Sequence, residues 1–319
     1  MLPQSPLLTL TAAMLPLSQS HLTLLDTCPR KYQHVFFDAL SGPSTYEQHA
    51  KAQWGSQFHL LMQQQALNLP VDVLSTADTE MAESLATLKT AAPEVFAYFS
   101  ESRVGGNAAD PEIASAEHRR TLNFNGYLLT VVYDLVVIAP DAEQKIHKGQ
   151  IFDWKTYQQP QKKTWLAKDW QTRLYPYVLC ETSNLTPDEI AMTYWFVRSG
   201  PENSGQEKSE VPFSEVPFKA SSFTFAYSAA QHQQTQHDLQ TLTDALTRMR
   251  EQAFFPKVAI EKGLCTQCPF QVRCDRATPD NSMTNPLTSG DSPPLYTNLP
   301  SLLKAAQQVN ADHIKELPL

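Results

Sequence analysis

The 319-residue sequence is poor in cysteine, has no long charge-free apolar run and carries no excess of positive charge. Five cysteines are too few for a disulfide scaffold, so the core must come from apolar packing, for which 42% apolar residues suffice. No stretch has the length and apolarity of a membrane helix, and the opening segment MLPQSPLLTLTAAMLPLSQS lacks the basic residues that precede a secretory apolar segment. A soluble, cytoplasmic protein with no membrane partner is expected. A net charge of −8 argues against non-specific coating of nucleic acid, which needs clustered Lys and Arg. No internal repeat is visible.

What is present is unevenly placed. Between Lys145 and Arg173, seven cationic side chains stand against only Asp153 and Asp169, and this stretch is expected to contribute to any phosphate-facing surface. Cys265, Cys268 and Cys274 form a C-x2-C-x5-C cluster, Cys28 stands alone near the other end, and Cys180 lies in an apolar segment as an ordinary buried thiol.

Apolar periodicity places helices from Gln19, capped by Ser18 and interrupted at Pro29, over Glu47 to Asn68, and over Thr76 to Ser100 with a break at Pro93. β-Branched and aromatic residues then predict strands over Glu112 to Phe124, Tyr127 to Ala139 and Lys148 to Lys155, with Asn125-Gly126 as the first hairpin turn. A helix over Lys162 to Cys180, strands over Ala191 to Arg198 and Ser209 to Phe218, and a long helix over Ser222 to Gln252 complete the reading. The expected organisation is a tail (1–17), one domain (18–276) and a Pro/Ser-rich tail (277–319). Within the domain, 18–103 is helical, 112–255 is an α/β core and 256–276 is the cysteine loop.

Asp134 sits in the apolar strand TVVYDLVVIA and Asp153 in GQIFDWKTY, where an unpaired carboxylate costs several kcal/mol to bury. Period-two alternation puts Asp153 and Lys155 on one face with Trp154 on the other. Two carboxylates can hold a hard cation such as Mg²⁺ that polarises a phosphoryl oxygen and acidifies water, while the lysine orients or deprotonates that water. The D-x-K triplet taken alone is equally a surface ion pair, with Asp134 neutralised by an arginine. Gly55-x-x-x-His59 puts an imidazole one helical turn from a glycine that allows close approach of a strand, and Gln171-x-x-x-Tyr175 repeats that spacing after the lysine strand. Glu117, on the preceding strand, is a further carboxylate that either joins the metal or faces solvent.

The C-x2-C-x5-C cluster can hold zinc or iron, and the fourth ligand decides its reading. No Cys or His follows Cys274 before His313, so Cys28 completes the set if the two ends of the fold meet.

The ordered set Ser18-x-Ser20-x-Leu22, Cys28-Pro29-Arg30-Lys31-Tyr32, Gly55-x-x-x-His59, Asp134, Asp153-x-Lys155, Gln171-x-x-x-Tyr175 and C-x2-C-P-x4-C resembles the RecB-like branch of the PD-(D/E)xK nucleases over residues 18–275. The nuclease domains of helicase-nuclease repair complexes and the CRISPR-associated adaptation nucleases share this style. The resemblance implies a restriction-endonuclease-like mixed sheet flanked by helices, with the cysteine loop closing onto the first helix. It implies a Mg²⁺- or Mn²⁺-dependent deoxyribonuclease, acting as an exonuclease on single-stranded DNA or DNA ends in repair, recombination or CRISPR adaptation. His59, Asp134, Asp153 and the Trp154 carbonyl would be metal ligands, Lys155 the catalytic lysine, and Gln171 and Tyr175 positioning groups. Cys28, Cys265, Cys268 and Cys274 would hold a [4Fe-4S] cluster, with zinc as the alternative. The sequence departs from the family in one place, because Val131-Val132-Tyr133-Asp134 lacks the Gly-Arg pair that often precedes the first aspartate. That removes an auxiliary phosphate contact rather than the metal site.

No P-loop is visible, so a helicase or integrase partner would be a separate subunit. The competing expectation is a catalytically silent iron-sulfur module that binds DNA or a repair partner. It predicts loss of a metal-binding position, whereas His59, Asp134, Asp153 and Lys155 are all present. An electron-transfer protein would leave the carboxylate-lysine set without a purpose.

Overall fold

On either side of Asn125-Gly126 lie runs of more than ten residues, the second almost wholly apolar and β-branched, and they pair as the antiparallel strands β2 (Ile113–Phe124) and β3 (Tyr127–Pro140). Asn125 and Gly126 both take positive φ, 47° and 82°, as the tight hairpin turn requires. The computed structural model describes residues 14–42, 45–71, 78–101, 113–140, 147–157, 159–160, 162–199 and 219–276.

Six strands form one mixed sheet. β4 (His147–Lys155) runs antiparallel to β3, β5 (Ile190–Ser199) runs parallel to β4, and β6 (Lys219–Ala226) closes the edge antiparallel to β5. The sixth strand is β1 (Leu15–Leu17), which lies within the segment expected as an N-terminal tail and pairs parallel with Tyr127–Leu129. Its three residues are too short to show a periodicity, so only the partner edge reveals them as a strand.

Helices cover both faces. On one face pack α1 (Gln19–Thr27), α7 (Trp170–Glu181) and α8 (Ala229–Glu251), with Leu22, Leu25, Leu174, Val178, Leu239 and Leu246 buried against the sheet. On the other pack α3 (Tyr46–Ala66), α4 (Thr79–Ala91) and α5 (Pro93–Glu101), through Phe58, Leu61, Leu85, Leu88 and Val95. The helices of residues 18–103 therefore divide between the two faces. Two short segments, α2 (Pro29–Tyr32) and α6 (Lys163–Leu166), link these layers.

The mixed α/β architecture agrees with the sequence reading, and two local expectations need correction. The long helix expected from Ser222 starts at Ala229. Residues up to Ala226 form β6, whose Phe223 and Phe225 pack on the core and whose Thr224 hydroxyl lies 2.9 Å from that of Thr193 on β5, so cross-strand pairing overrides helix periodicity. Ser228 then caps α8 through the amide of Gln231. The helix expected over Lys162 to Cys180 breaks at Asp169, where the backbone is extended and the Trp170 indole donates to Asp26 on α1. The helix from Gln19 breaks at Cys28, at the interruption expected from Pro29, and the chain continues to a π-turn over Gln33–Phe37. The strand expected over Ser209 to Phe218 and the tail from 277 lie outside the described residues.

Candidate active site

A fork in the sheet creates the site. β2 covers one edge of β3 over its length, so β1 and β4 must share the other edge. β1 pairs only with Tyr127–Leu129, and β4 pairs only from Leu135 onward. Between them residues 130–134 of β3 are left without a strand partner on that side. After Phe152, β4 turns away from β3 and continues against β5 alone, through Asp153, Trp154 and Lys155. The Trp154 amide, released from the ladder, donates to Asp134 Oδ2 at 2.7 Å. The fork thus opens where both aspartates lie, and α1 enters it with Gln19 and Ser20 on the wall of the resulting cleft of about 350 Å³.

β3 also changes face here. Val131 and Tyr133 point to the same core as Val136 and Ile138, whereas Leu135 and Val137 point to the other. The change falls opposite Glu117, whose φ of 48° is left-handed, a conformation that costs a non-glycine residue free energy and that clusters at functional sites. The flanking pairs Ala116 with Leu135 and His118 with Tyr133 put Glu117 beside Asp134. The ligand atoms of His59, Glu117 and Asp134 lie within 4.8 Å of one another, and His59 Nδ1 is 3.1 Å from Asp134 Oδ1. Glu117 is therefore a stronger candidate ligand than its lone place in the sequence suggested.

Asp153 faces a different set of partners. Its Oδ2 lies 2.7 Å from the Lys155 ammonium, and its Oδ1 accepts from Gln171 Nε2 at 2.5 Å. Gln171 Oε1 in turn accepts from Lys155 at 2.7 Å, so one α7 amide holds acid and base of the D-x-K triplet together. Lys155 also lies 4.9 Å above the Tyr194 ring. Asp153 is 3% exposed, which removes the surface ion-pair reading of the triplet. Tyr175, one turn after Gln171, lines the cleft and packs edge-on to Tyr133. Trp154 presents its amide to Asp134, while its indole is buried beside Phe152 in the layer under α3.

These contacts set the charges. Burial pushes the Asp153 carboxyl up to about 6, with Asp134 adding to the rise against the lowering effect of Lys155. Burial would also raise Asp134, but His59, the Trp154 amide and Lys155 outweigh it and hold that carboxyl below its ordinary value. Burial alone would lower Lys155, yet Asp153, Tyr157 and Asp134 raise it, so the ammonium is charged at neutral pH. Two carboxylates and an imidazole, from Glu117, Asp134 and His59, with Asp153 lining the same cleft, form an oxygen-rich donor set that fits a hard divalent cation.

Gly55 explains how His59 reaches this space. A Cβ there would stand 2.9 Å from Thr156 Oγ1, one residue beyond Lys155, so the missing side chain lets α3 rest on the end of β4. Gly55→Val is expected to push α3 outward, carry His59 off Asp134 one turn later, and weaken the hold of this donor set on a divalent cation by about tenfold or more. Calorimetric titration with Mn²⁺ checks this, and an unchanged affinity would contradict the packing argument.

The basic stretch around Lys155 does not form one surface. Lys155 is buried in the site, Arg173 pairs with Asp238 on α8 and covers Trp170, and Lys163 lies over Phe225 with its ammonium on the Thr224 carbonyl. Lys162 and Lys168 remain exposed.

The four cysteines do meet. Cys28, at the junction of α1 and α2, lines one small cavity with Cys265, Cys268 and Cys274, and none is in a disulfide. Lys31, Lys257 and Arg276 surround them, with Arg276 Nη1 3.1 Å from Cys265 Sγ, while burial pushes the Cys274 thiol up. Cys180 lies apart, half-buried, with its thiol 3.3 Å from the Leu185 carbonyl.

Among the described residues no helix is long and apolar enough to cross a membrane. No curated protein matches this sequence closely enough to be counted as a relative. The sequence model of the PD-(D/E)XK nuclease superfamily does match, over residues 16–275, a span from β1 to the last cysteine of the loop.

Proposed function

Because the chain belongs to the PD-(D/E)XK nuclease superfamily, whose members are metal-dependent nucleases, we propose that it is a Mg²⁺- or Mn²⁺-dependent deoxyribonuclease of the RecB-like branch. The observation that carries this reading is the buried Asp153–Lys155–Gln171 linkage set beside His59, Asp134 and Glu117 in the fork of the sheet. His59, Asp134, Asp153 and the Trp154 carbonyl would hold the cation, with Glu117 as an added ligand. A bound divalent cation supplies Lewis-acid polarisation of the phosphoryl oxygen and acidifies water.

The chain's own groups do the rest. Lys155, charged and fixed by Gln171, offsets the negative charge that grows on the phosphoryl oxygens as the bond breaks. Gln171 bridges the ammonium and Asp153 and so fixes both, and Tyr175 borders the space where the strand would lie. Exonucleolytic action on single strands or ends fits a cleft whose surroundings show no separate sequence-reading element.

We read the cysteine set as the seat of a [4Fe-4S] cluster, with zinc as the alternative, because four thiols from two distant segments line one small cavity and either metal is held by four thiolates. Residues 256–276 would then be an iron-sulfur loop that ties the chain's last described segment to its first helices.

The test uses end-labelled single- and double-stranded DNA. Chelation of divalent cations is expected to abolish cutting, Mg²⁺ or Mn²⁺ to restore it, and Asp134→Asn to leave less than about 1% of the activity. DNA binding without cutting in any divalent cation would instead support the silent-module reading.

A further inference from the structure

A second and larger cavity, of about 530 Å³, adjoins the catalytic cleft. Gln19 and Ser20, in the first turn of α1, belong to the walls of both, so one helix turn is the partition between them. Asp169, which precedes the first turn of α7, also lines the larger cavity. Resting on the nuclease reading, we propose that this cavity receives one unpaired nucleobase of the strand being cut, next to the scissile phosphate.

The shape and chemistry of the walls carry the argument. Leu24, Val35, Leu40 and Phe270 make the lining predominantly apolar, as a flat heteroaromatic ring requires when it leaves water. The polar lining offers groups that a base edge and its backbone can use. Thr23 and Ser41 offer hydroxyls, Asp169 offers an acceptor for an exocyclic amine, and Lys31 supplies the one cation in the lining, suited to a neighbouring phosphate. Because the cavity shares a wall with the cleft, a base next to the phosphate being cut can enter it, and a single strand or a frayed end supplies such an unpaired base.

The far wall comes from the cysteine loop. Pro269 and Phe270 lie between Cys268 and Cys274 and close the cavity opposite α1. They fit because Gly42 has no side chain, since a Cβ there would stand 2.7 Å from the Pro269 Cβ. Seating of the loop, and so binding of metal by its cysteines, would determine whether the pocket exists. That gives the cysteine cluster a direct bearing on substrate recognition.

Thr23 is exposed on α1 and borders the cavity without touching the aspartates or Lys155, so Thr23→Trp can fill the pocket from its wall while leaving the catalytic groups in place. Full-length wild type, Thr23→Trp and Thr23→Ala would be given single-stranded oligonucleotides carrying one abasic site at each successive position. For wild type, one abasic position beside the cut bond is expected to lower kcat/KM roughly tenfold, the scale of losing one bound base. Thr23→Trp is expected to lose a similar factor on the intact strand and to become indifferent to that abasic site, whereas Thr23→Ala, which removes a hydroxyl but leaves the space open, should lose at most a few-fold and keep the abasic penalty. Wild-type cutting by Thr23→Trp, or an abasic penalty undiminished in it, would overturn the pocket. If wild type cuts no DNA at all, the nuclease reading fails separately. The same abasic series, read by fluorescence anisotropy of the labelled strand in Ca²⁺, then still shows whether the base-specific loss and its cancellation by Thr23→Trp exist.

Discussion

Lys155→Ala is expected to slow phosphodiester cleavage by roughly two to three orders of magnitude while leaving DNA affinity within a few-fold, the pattern of a charge used mainly in the transition state. The ammonium it removes is fixed from three sides, by Asp153, by Gln171 and by the Tyr194 ring. Neither water nor a neighbouring side chain can reproduce that placement. Lys155→Arg should recover little, because a planar fork cannot occupy the same seat between Asp153 and Gln171. Single-turnover rates beside equilibrium binding would separate the two effects, and equal losses in both would mean that Lys155 merely attracts DNA.

The same substitution has a pH signature in stability that does not depend on activity. Asp153 titrates near 6 in the fold, above its ordinary value of 3.8. The folded protein therefore binds more protons than the unfolded chain between those values, and this group's contribution to stability falls as pH rises through that window. Lys155 lowers the Asp153 carboxyl, so its removal extends the window upward. Urea melts of metal-free Lys155→Ala should show a stability deficit relative to wild type that is larger at pH 8 than at pH 5. A deficit independent of pH would show that Asp153 does not depend on the ammonium.

Cys28→Ser is expected to have the largest effect on the fold itself. Cys28 is the only one of the four converging cysteines that lies outside the C-terminal loop, and it ends α1, whose first turn lines the cleft. Losing it should release a staple that spans most of the chain. Thermal denaturation should report a loss well beyond the roughly 1 kcal/mol of an ordinary point substitution, with the metal content and any thiolate-to-iron absorbance falling together. Cys180→Ser, at a thiol outside the set, should leave both unchanged. Full metal content and an unaltered melt in Cys28→Ser would separate Cys28 from the site.

The local features were legible because short-range rules determine them. The Asn125-Gly126 hairpin, the cap at Ser18, the break at Pro93 and the D-x-K strand each follow from residues within a few positions of one another. The motif set from Ser18 to Cys274 was readable in order along the chain, and the superfamily match covers nearly the same span. Where neighbours compete, the sequence misleads. Ser222 to Ala226 has residues compatible with either helix or strand, and only the free edge of β5 makes them β6.

The sequence by itself determined which residue types are available for the chemistry, the approximate place of most strands and helices, and the split grouping of the cysteines. Tertiary structure alone decided that β1 and β4 share one edge of β3 and leave a gap between them, that the left-handed Glu117 lies beside Asp134 from β2 on the opposite edge, and that Gln171 joins Asp153 to Lys155. The reason is physical. Periodicity assigns a side chain to a face of its own strand or helix, but a binding site needs the relative placement of several elements, and that placement comes from edges and packed faces that no single segment contains.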